Sequence, residues 1–234
     1  MADLRRVLLA ERLRAVEERM QEACSRSGRQ RQEVTLVAVT KTVSPETAAL
    51  LPTLGVVHLG ESRPQELWRK AAALPPTVRW HLVGHLQRNK IERTLPLARL
   101  IHSVDSLRLL EALDREAAKQ QSAVDALLEF NASSESSKQG FATDDVQRLA
   151  EVIPELKRVR VGGLMTMAAL ENDPERTRQT FAALRGLRDR LQGLLGPPHR
   201  LDHLSMGMSS DFEVAIEEGA TLVRIGTALF DGLF

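Results

Sequence analysis

Lys41 is the first residue in this 234-residue sequence whose type and setting could do chemistry, because it directly follows the run VTLVAVT at 34–40. An apolar approach of that kind desolvates an ammonium and lowers its pKa, which frees the amine to condense with a carbonyl. The alternative is a lysine that merely caps a strand at the surface. The C-terminal third supplies a second set. The segment LSMGMSSD at 204–211 follows one apolar run, and VRIGT at 223–227 closes another. Each carries glycine beside hydroxyl residues, with Ser209 in the first and Gly226 and Thr227 in the second. Small residues and unpaired helix N–H groups let a backbone close around an oxyanion, although either loop alone would fit ordinary turns and helix caps. Together, opposite a lysine at the end of the first run, they point to an anionic, carbonyl-bearing ligand.

Other candidates are weaker. His81 and His85 are four residues apart, a helical zinc spacing, but Gly84 lies between them and the context reads as a strand entering a loop. No third ligand stands in register, so no metal is expected. The polar segment NASSESSKQG at 131–140 could hold an anion or order a lid, and reads equally as a plain surface loop. Arg88 and Lys90 read as solvated helix charges.

The elements that must position these residues alternate between two kinds. Short β-branched runs occupy 34–40, 56–59, 78–83, 100–104, 126–130, 159–164, 201–204 and 221–225. Stretches of helical spacing separate them, among them 106–120, 143–152, 174–195 and 209–218. Several runs are apolar on both faces, as when helices cover a parallel sheet. Eight such units fit an α/β fold of the (β/α)8 TIM-type barrel class, whose strand ends converge on one face. A doubly wound open sheet is the rival. Residues 1–28 form an N-terminal helix, from Asp3 to about Ser27, packed on the barrel. The whole chain, 1–234, is expected to be one domain, with 133–140 and 196–199 as internal connections.

Composition excludes other classes. With 32 basic and 31 acidic residues the net charge is +1, which removes a general electrostatic case for nucleic acid or an anionic membrane. Six Phe, two Trp and no Tyr make a poor supply of base-stacking platforms. The longest uncharged stretch near the N-terminus, at 7–10, is too short for a signal-peptide core, and no window is apolar enough to span a membrane. One cysteine, Cys24, suits a reducing, cytoplasmic setting. There is no GxGxxG after a strand, no GxxxxGK and no GxSxG, so dinucleotide, nucleoside-triphosphate and α/β-hydrolase chemistries lack their usual support.

From about residue 34 to 230 the chain resembles the pyridoxal-phosphate homeostasis protein family, single-domain relatives of the alanine racemase barrel. The resemblance rests on VAVTK, GES with Gln65, WHLVGHLQRNK, HSVDS, NASSESSKQG, GLMTM, LSMGMSSDFEVAI and VRIGTALF, in that order. It implies that Lys41 holds pyridoxal 5′-phosphate as a Schiff base. It implies that Ser209, Gly226 and Thr227 bind the phosphate, that Arg224 faces the pyridine nitrogen, and that Met165 borders the cofactor. Two positions depart from the family: Ser62 stands where Asn is usual, and His85 where proline is common. The implied function is a carrier or buffer of the cofactor without strong turnover, acting as a monomer and passing pyridoxal phosphate to apo-enzymes. A racemase-type enzyme is the alternative. It would need a second acid–base group, a tyrosine from an additional β-domain in barrel racemases, and this sequence has no tyrosine and six residues after position 228. A barrel used only as an interaction scaffold would bind no cofactor.

Overall fold

In the computed structural model, which describes residues 2–132, 140–168 and 173–233, eight parallel strands close into a barrel in chain order. They are β1 (Thr35–Val39), β2 (His58–Glu61), β3 (Arg79–Leu82), β4 (Ala98–Val104), β5 (Val124–Glu129), β6 (Val159–Met165), β7 (His203–Ser205) and β8 (Leu222–Ile225). Helices α1 (Ala2–Arg26), α2 (Pro45–Ala48), α3 (Leu50–Thr53), α4 (Pro64–Ala71), α5 (Ile91–Thr94), α6 (Leu107–Lys119), α7 (Val146–Val152), α8 (Pro174–Leu195), α9 (Phe212–Glu217) and α10 (Thr227–Phe230) surround it. The expected (β/α)8 barrel is what forms, and the open sheet is excluded by the β1–β8 pairing, Thr35 to Leu222 through Ala38 to Ile225.

The strands form where β-branched residues serve both faces. On β1, Leu36 and Ala38 pack outward with the helices, while Val37 joins Leu100, Leu127, Met165 and Leu222 in a small apolar cluster inside the barrel. The period-2 alternation gives each strand an inward row that runs from one mouth of the barrel to the other. Thr35 lines the mouth where the strands begin, and Val39 lines the mouth where they end.

The helices are set by capping and spacing. At α8, Pro174 takes the first helical position and Asp173 accepts from the N–H of Glu175 and Arg176. The stripe Phe181, Leu184, Leu187, Leu191 is buried against the barrel. At α6, Ser106 accepts from Leu109 N–H. On α1, Leu9, Val16, Met20, Ala23 and Cys24 are buried, and Arg19 donates to Glu213 on α9 at 2.7 Å. Among the described residues, no helix is long and apolar enough to cross a membrane.

One charged cluster ties the first two repeats together. Lys70 on α4 is fully buried and donates to Glu61 Oε1 at 2.5 Å and to the carbonyl of Thr40 at 2.6 Å. The Thr40 hydroxyl donates to the same carboxylate oxygen at 2.6 Å. This clamp sits one residue before Lys41, so it fixes the backbone from which that side chain departs. Removing one member of a buried pair leaves an uncompensated charge. Lys70→Met is therefore expected to cost about 3–5 kcal/mol in urea unfolding, with much of it restored in Glu61→Gln/Lys70→Met. Equal losses in the single and double variants would contradict the clamp.

Candidate functional site

Where the strands end, a cavity of about 720 Å³ opens. Its walls come from the ends of several early and late repeats: Val39 at the end of β1 and Lys41 beyond it, Ser62 after β2, Val83 after β3, and Met167 after β6. The loop after β7 contributes Met208, Ser209 and Ser210, β8 contributes Arg224, and the turn into α10 contributes Gly226, Thr227 and Ala228. The volume falls in the range of small-molecule sites.

The two hydroxyl-bearing loops are joined to each other, since Ser209 Oγ accepts from Ala228 N–H at 3.1 Å. That leaves the serine hydroxyl hydrogen to donate. The backbone N–H groups of Ser209, Ser210, Gly226 and Thr227 make no hydrogen bond among the described residues. Four unpartnered donors on residues lining one cavity form a nest that an anion would satisfy. Two glycines make the approach feasible. A Cβ on Gly226 would sit 3.1 Å from the carbonyl oxygen of Val39, and Gly207, at φ +94°, lies where a Cβ would meet Ala215 Cβ at 2.6 Å. Asp211 Oδ1 accepts from Met208 N–H at 2.6 Å and fixes the first loop, and burial pushes the Asp211 carboxyl up.

Arg224 brings a buried fixed charge to the cavity. It is 5% exposed, and its Nη1 donates to Ser205 Oγ at 2.8 Å and its Nη2 to the carbonyl of Thr166 at 2.9 Å. Burial lowers it to about 10, with Asp211 and Glu129 acting in the opposite sense, so it remains cationic at neutral pH. Behind it a hydrogen-bonded chain runs down the barrel. Ser205 Oγ meets His102 Nδ1 at 2.8 Å, His102 Nε2 meets His81 Nδ1 at 2.8 Å, and His81 Nε2 meets His58 Nδ1 at 2.9 Å. Burial holds His81 down at about 3 and His102 well below its ordinary range, so both are neutral.

The expected residues are brought together with three corrections. Lys41, Ser209, Arg224, Gly226 and Thr227 all line the cavity, but Met165 does not. It is fully buried in the apolar cluster inside the barrel, and Met167, two residues on and on the same side of the chain, takes the wall position. Lys41 is exposed, so the desolvated setting expected from its apolar approach is not present; the strand stops at Val39, and Thr40 is the residue buried in its place. Lys41 also lies beside the second hydroxyl-bearing loop rather than opposite it, because β1 and β8 are neighbours.

Of the two departures, Ser62 lines the cavity, whereas His85 is turned away to Asp105 Oδ2 at 2.9 Å. His81 and His85 therefore face different surroundings. Most of the polar loop at 131–140 lies outside the described residues. Arg12 of α1 and Asp231 also line the cavity and carry no motif signal; Arg12 is brought in by the docking of α1.

A family model described as the alanine racemase N-terminal domain matches residues 12–233. The pyridoxal phosphate homeostasis protein of Aquifex aeolicus is 43% identical over 221 residues, which is 94% of this chain and 96% of that one. A protein from Bifidobacterium adolescentis superposes with a TM-score of 0.90 at 35% identity, over 97% of this chain and 96% of its own. PipY of Synechococcus elongatus, solved with PLP bound, superposes with a TM-score of 0.83 at 35% identity, over 95% of this chain and 99% of its own. Alanine racemase of Corynebacterium glutamicum, 13% identical, shares the fold with a TM-score of 0.74 over 95% of this chain and 60% of its own.

The neutral histidines predict a pH dependence of stability. Because folding lowers His81 and His102, the unfolded chain binds protons that the folded one refuses once pH falls below the ordinary histidine value. Stability is thus full above about 6.5 and declines on acidification, at up to about 1.4 kcal/mol per pH unit for each such histidine. Glu129 and Asp211, raised by burial, oppose this nearer their own range. Urea unfolding between pH 7 and 5 is expected to show the decline, shallower by nearly one proton in His102→Gln. The same slope in both proteins would contradict the neutral chain.

Proposed function

We propose, from the premise that this chain belongs to the pyridoxal phosphate homeostasis protein family, that it binds pyridoxal 5′-phosphate at the mouth where the strands end and holds it reversibly. The observation that carries this is the meeting, in one cavity, of the Lys41 amine with four unpartnered backbone N–H groups and the Arg224 guanidinium. The donor set matches three of the ligand's four polar groups: an amine for the aldehyde, a nest for the phosphate, and a cation for the ring nitrogen. When bound, pyridoxal phosphate supplies an aldehyde carbon that condenses reversibly with a primary amine, with loss of water, and a ring that can draw in electrons.

Each residue then has a task. The N–H groups of Ser209, Ser210, Gly226 and Thr227, with the Ser209 hydroxyl, would hold the phosphate by charge-assisted hydrogen bonds. Val39, Val83, Met167 and Met208 give apolar walls for a flat ring. Lys41, held at its backbone by the Thr40–Glu61–Lys70 clamp, would present its amine to the aldehyde. Arg224 stays cationic and has only donors to offer, so it favours an unprotonated ring nitrogen. That makes the ring a weak electron sink.

A weak sink and the absence of tyrosine from the 234 residues support a carrier over a racemase-type enzyme. A carrier of this kind would pass the cofactor to apo-enzymes as a single copy in the cytoplasm, with α1 part of the same unit because Arg12 lines the cavity.

Purified protein is expected to bind pyridoxal phosphate with a visible absorbance, and borohydride is expected to fix it to the peptide containing Lys41. Lys41→Ala should lose both. Colour retained in that variant would place the linkage elsewhere. Ser209→Ala should weaken affinity by about one to two decades, on roughly 1.5–3 kcal/mol for a hydrogen bond to a charged group. An unchanged dissociation constant would remove Ser209 from the site.

A further inference from the structure

The mouth where the strands begin holds a second cavity, of about 730 Å³, on the far side of the barrel from Lys41. Its lining is strongly cationic. Arg79, Arg99, Lys157, Arg158, Arg160 and Arg200 line it, and Asp125 is the single carboxylate of the wall among the described residues. Asp125 is shared, accepting from Arg99 at 2.6 Å and from Arg160 at 2.8 Å. Arg200 is paired at the rim with Asp202 at 3.1 Å. Arg79, Lys157 and Arg158 have no ion-pair partner among the described residues. The segment carrying two of them is held in place, because Asp114 Oδ1 accepts from the backbone N–H of Lys157, Arg158 and Val159 at 3.0, 2.7 and 2.9 Å.

The floor of this cavity is the lower end of the histidine chain, since His81 and His58 both line it. Proton counting gives the chain a direction. Arg224 has donors alone, so Ser205 Oγ accepts from it. The Ser205 hydroxyl is buried, and its hydrogen finds an acceptor only if it points at His102 Nδ1. A neutral His102 then carries its hydrogen on Nε2 and donates to His81 Nδ1. His81 in turn donates from Nε2 to His58 Nδ1. His58 is left with a hydrogen on Nε2, which has no partner among the described residues, beside the cavity it lines.

From these observations the geometry points to a second anion site: the strand-start mouth binds a small, multiply charged oxyanion such as a phosphate ester, cradled by Arg79, Arg158 and Lys157 over the His58 N–H. A cavity of this size takes a small molecule, and surplus guanidinium groups beside a fixed N–H donor match an oxyanion's several acceptors. An isolated surface arginine pair would not make this case. The rigid segment, the shared carboxylate and the directed donor in the floor do.

The probe is inorganic pyrophosphate, titrated at physiological ionic strength into protein whose histidines are ¹⁵N-labelled. The His58 ring lies in the strand-start mouth, and the Lys41→Ala and Ser209→Ala variants separate binding there from an effect relayed from the Lys41 mouth along the histidine chain. A saturable shift of His58 is expected below about ten millimolar. Arg79→Gln/Arg158→Gln should weaken it by about tenfold or more. Lys41→Ala and Ser209→Ala should leave it unchanged, whether or not pyridoxal phosphate binds at the other mouth. No saturable His58 shift, or one unaltered in a folded Arg79→Gln/Arg158→Gln protein, would overturn the site.

Discussion

Arg224 carries a fixed charge at 5% exposure with no carboxylate in hydrogen-bond contact among the described residues, so neutral acceptors have to meet its donors. A buried ion is tolerated only when such partners are complete. Thr166 lends a carbonyl and Ser205 a hydroxyl, and the demand then passes on, because Ser205 is itself buried and needs an acceptor. Three imidazoles on consecutive strands answer it. The barrel interior is consequently divided. One sector is a polar line from Arg224 to His58, and the other is filled by Val37, Leu100, Leu127, Met165 and Leu222.

That division gives the two mouths different characters. At one, the polar line ends in a guanidinium beside a nest of backbone N–H groups and a lysine. At the other it ends in an imidazole under a ring of arginines. Closure of the barrel is what makes the first mouth possible. The β1–β8 pairing sets Lys41 beside Gly226, and a side chain at position 226 would press on the Val39 carbonyl. The Glu61–Lys70 pair then holds the same strand end from its other side.

Much of this was legible in the sequence. Eight β-branched runs separated by helical stretches predicted the barrel, and the expected helix at 174–195 is α8 to the residue. The two glycine-and-hydroxyl loops were legible because their residue types depart from the apolar pattern around them. What stayed hidden depended on tertiary placement. Whether a lysine after an apolar strand is buried depends on where the strand ends, and here Thr40 takes the buried position. Met165 and Met167 share an alternation, and which of them reaches the cavity depends on how far β6 extends past the barrel's interior cluster. The histidine chain did leave a trace. His58, His81 and His102 recur at intervals near the length of one βα unit, and each falls on an inward position of a successive strand. A search for polar residues at equivalent strand positions would have found it.

The cavity built by Lys41, Arg224 and the loops after β7 and β8 is the proposed seat of pyridoxal phosphate. A crystal structure of the protein loaded with pyridoxal phosphate tests it most directly. The phosphate is expected within hydrogen-bond distance of the Ser209, Ser210, Gly226 and Thr227 N–H groups, the ring nitrogen at Arg224, and density continuous with Lys41 Nζ. A cofactor seated at the arginine-lined mouth, or bound away from Lys41 with the four N–H groups left unpaired, would contradict it.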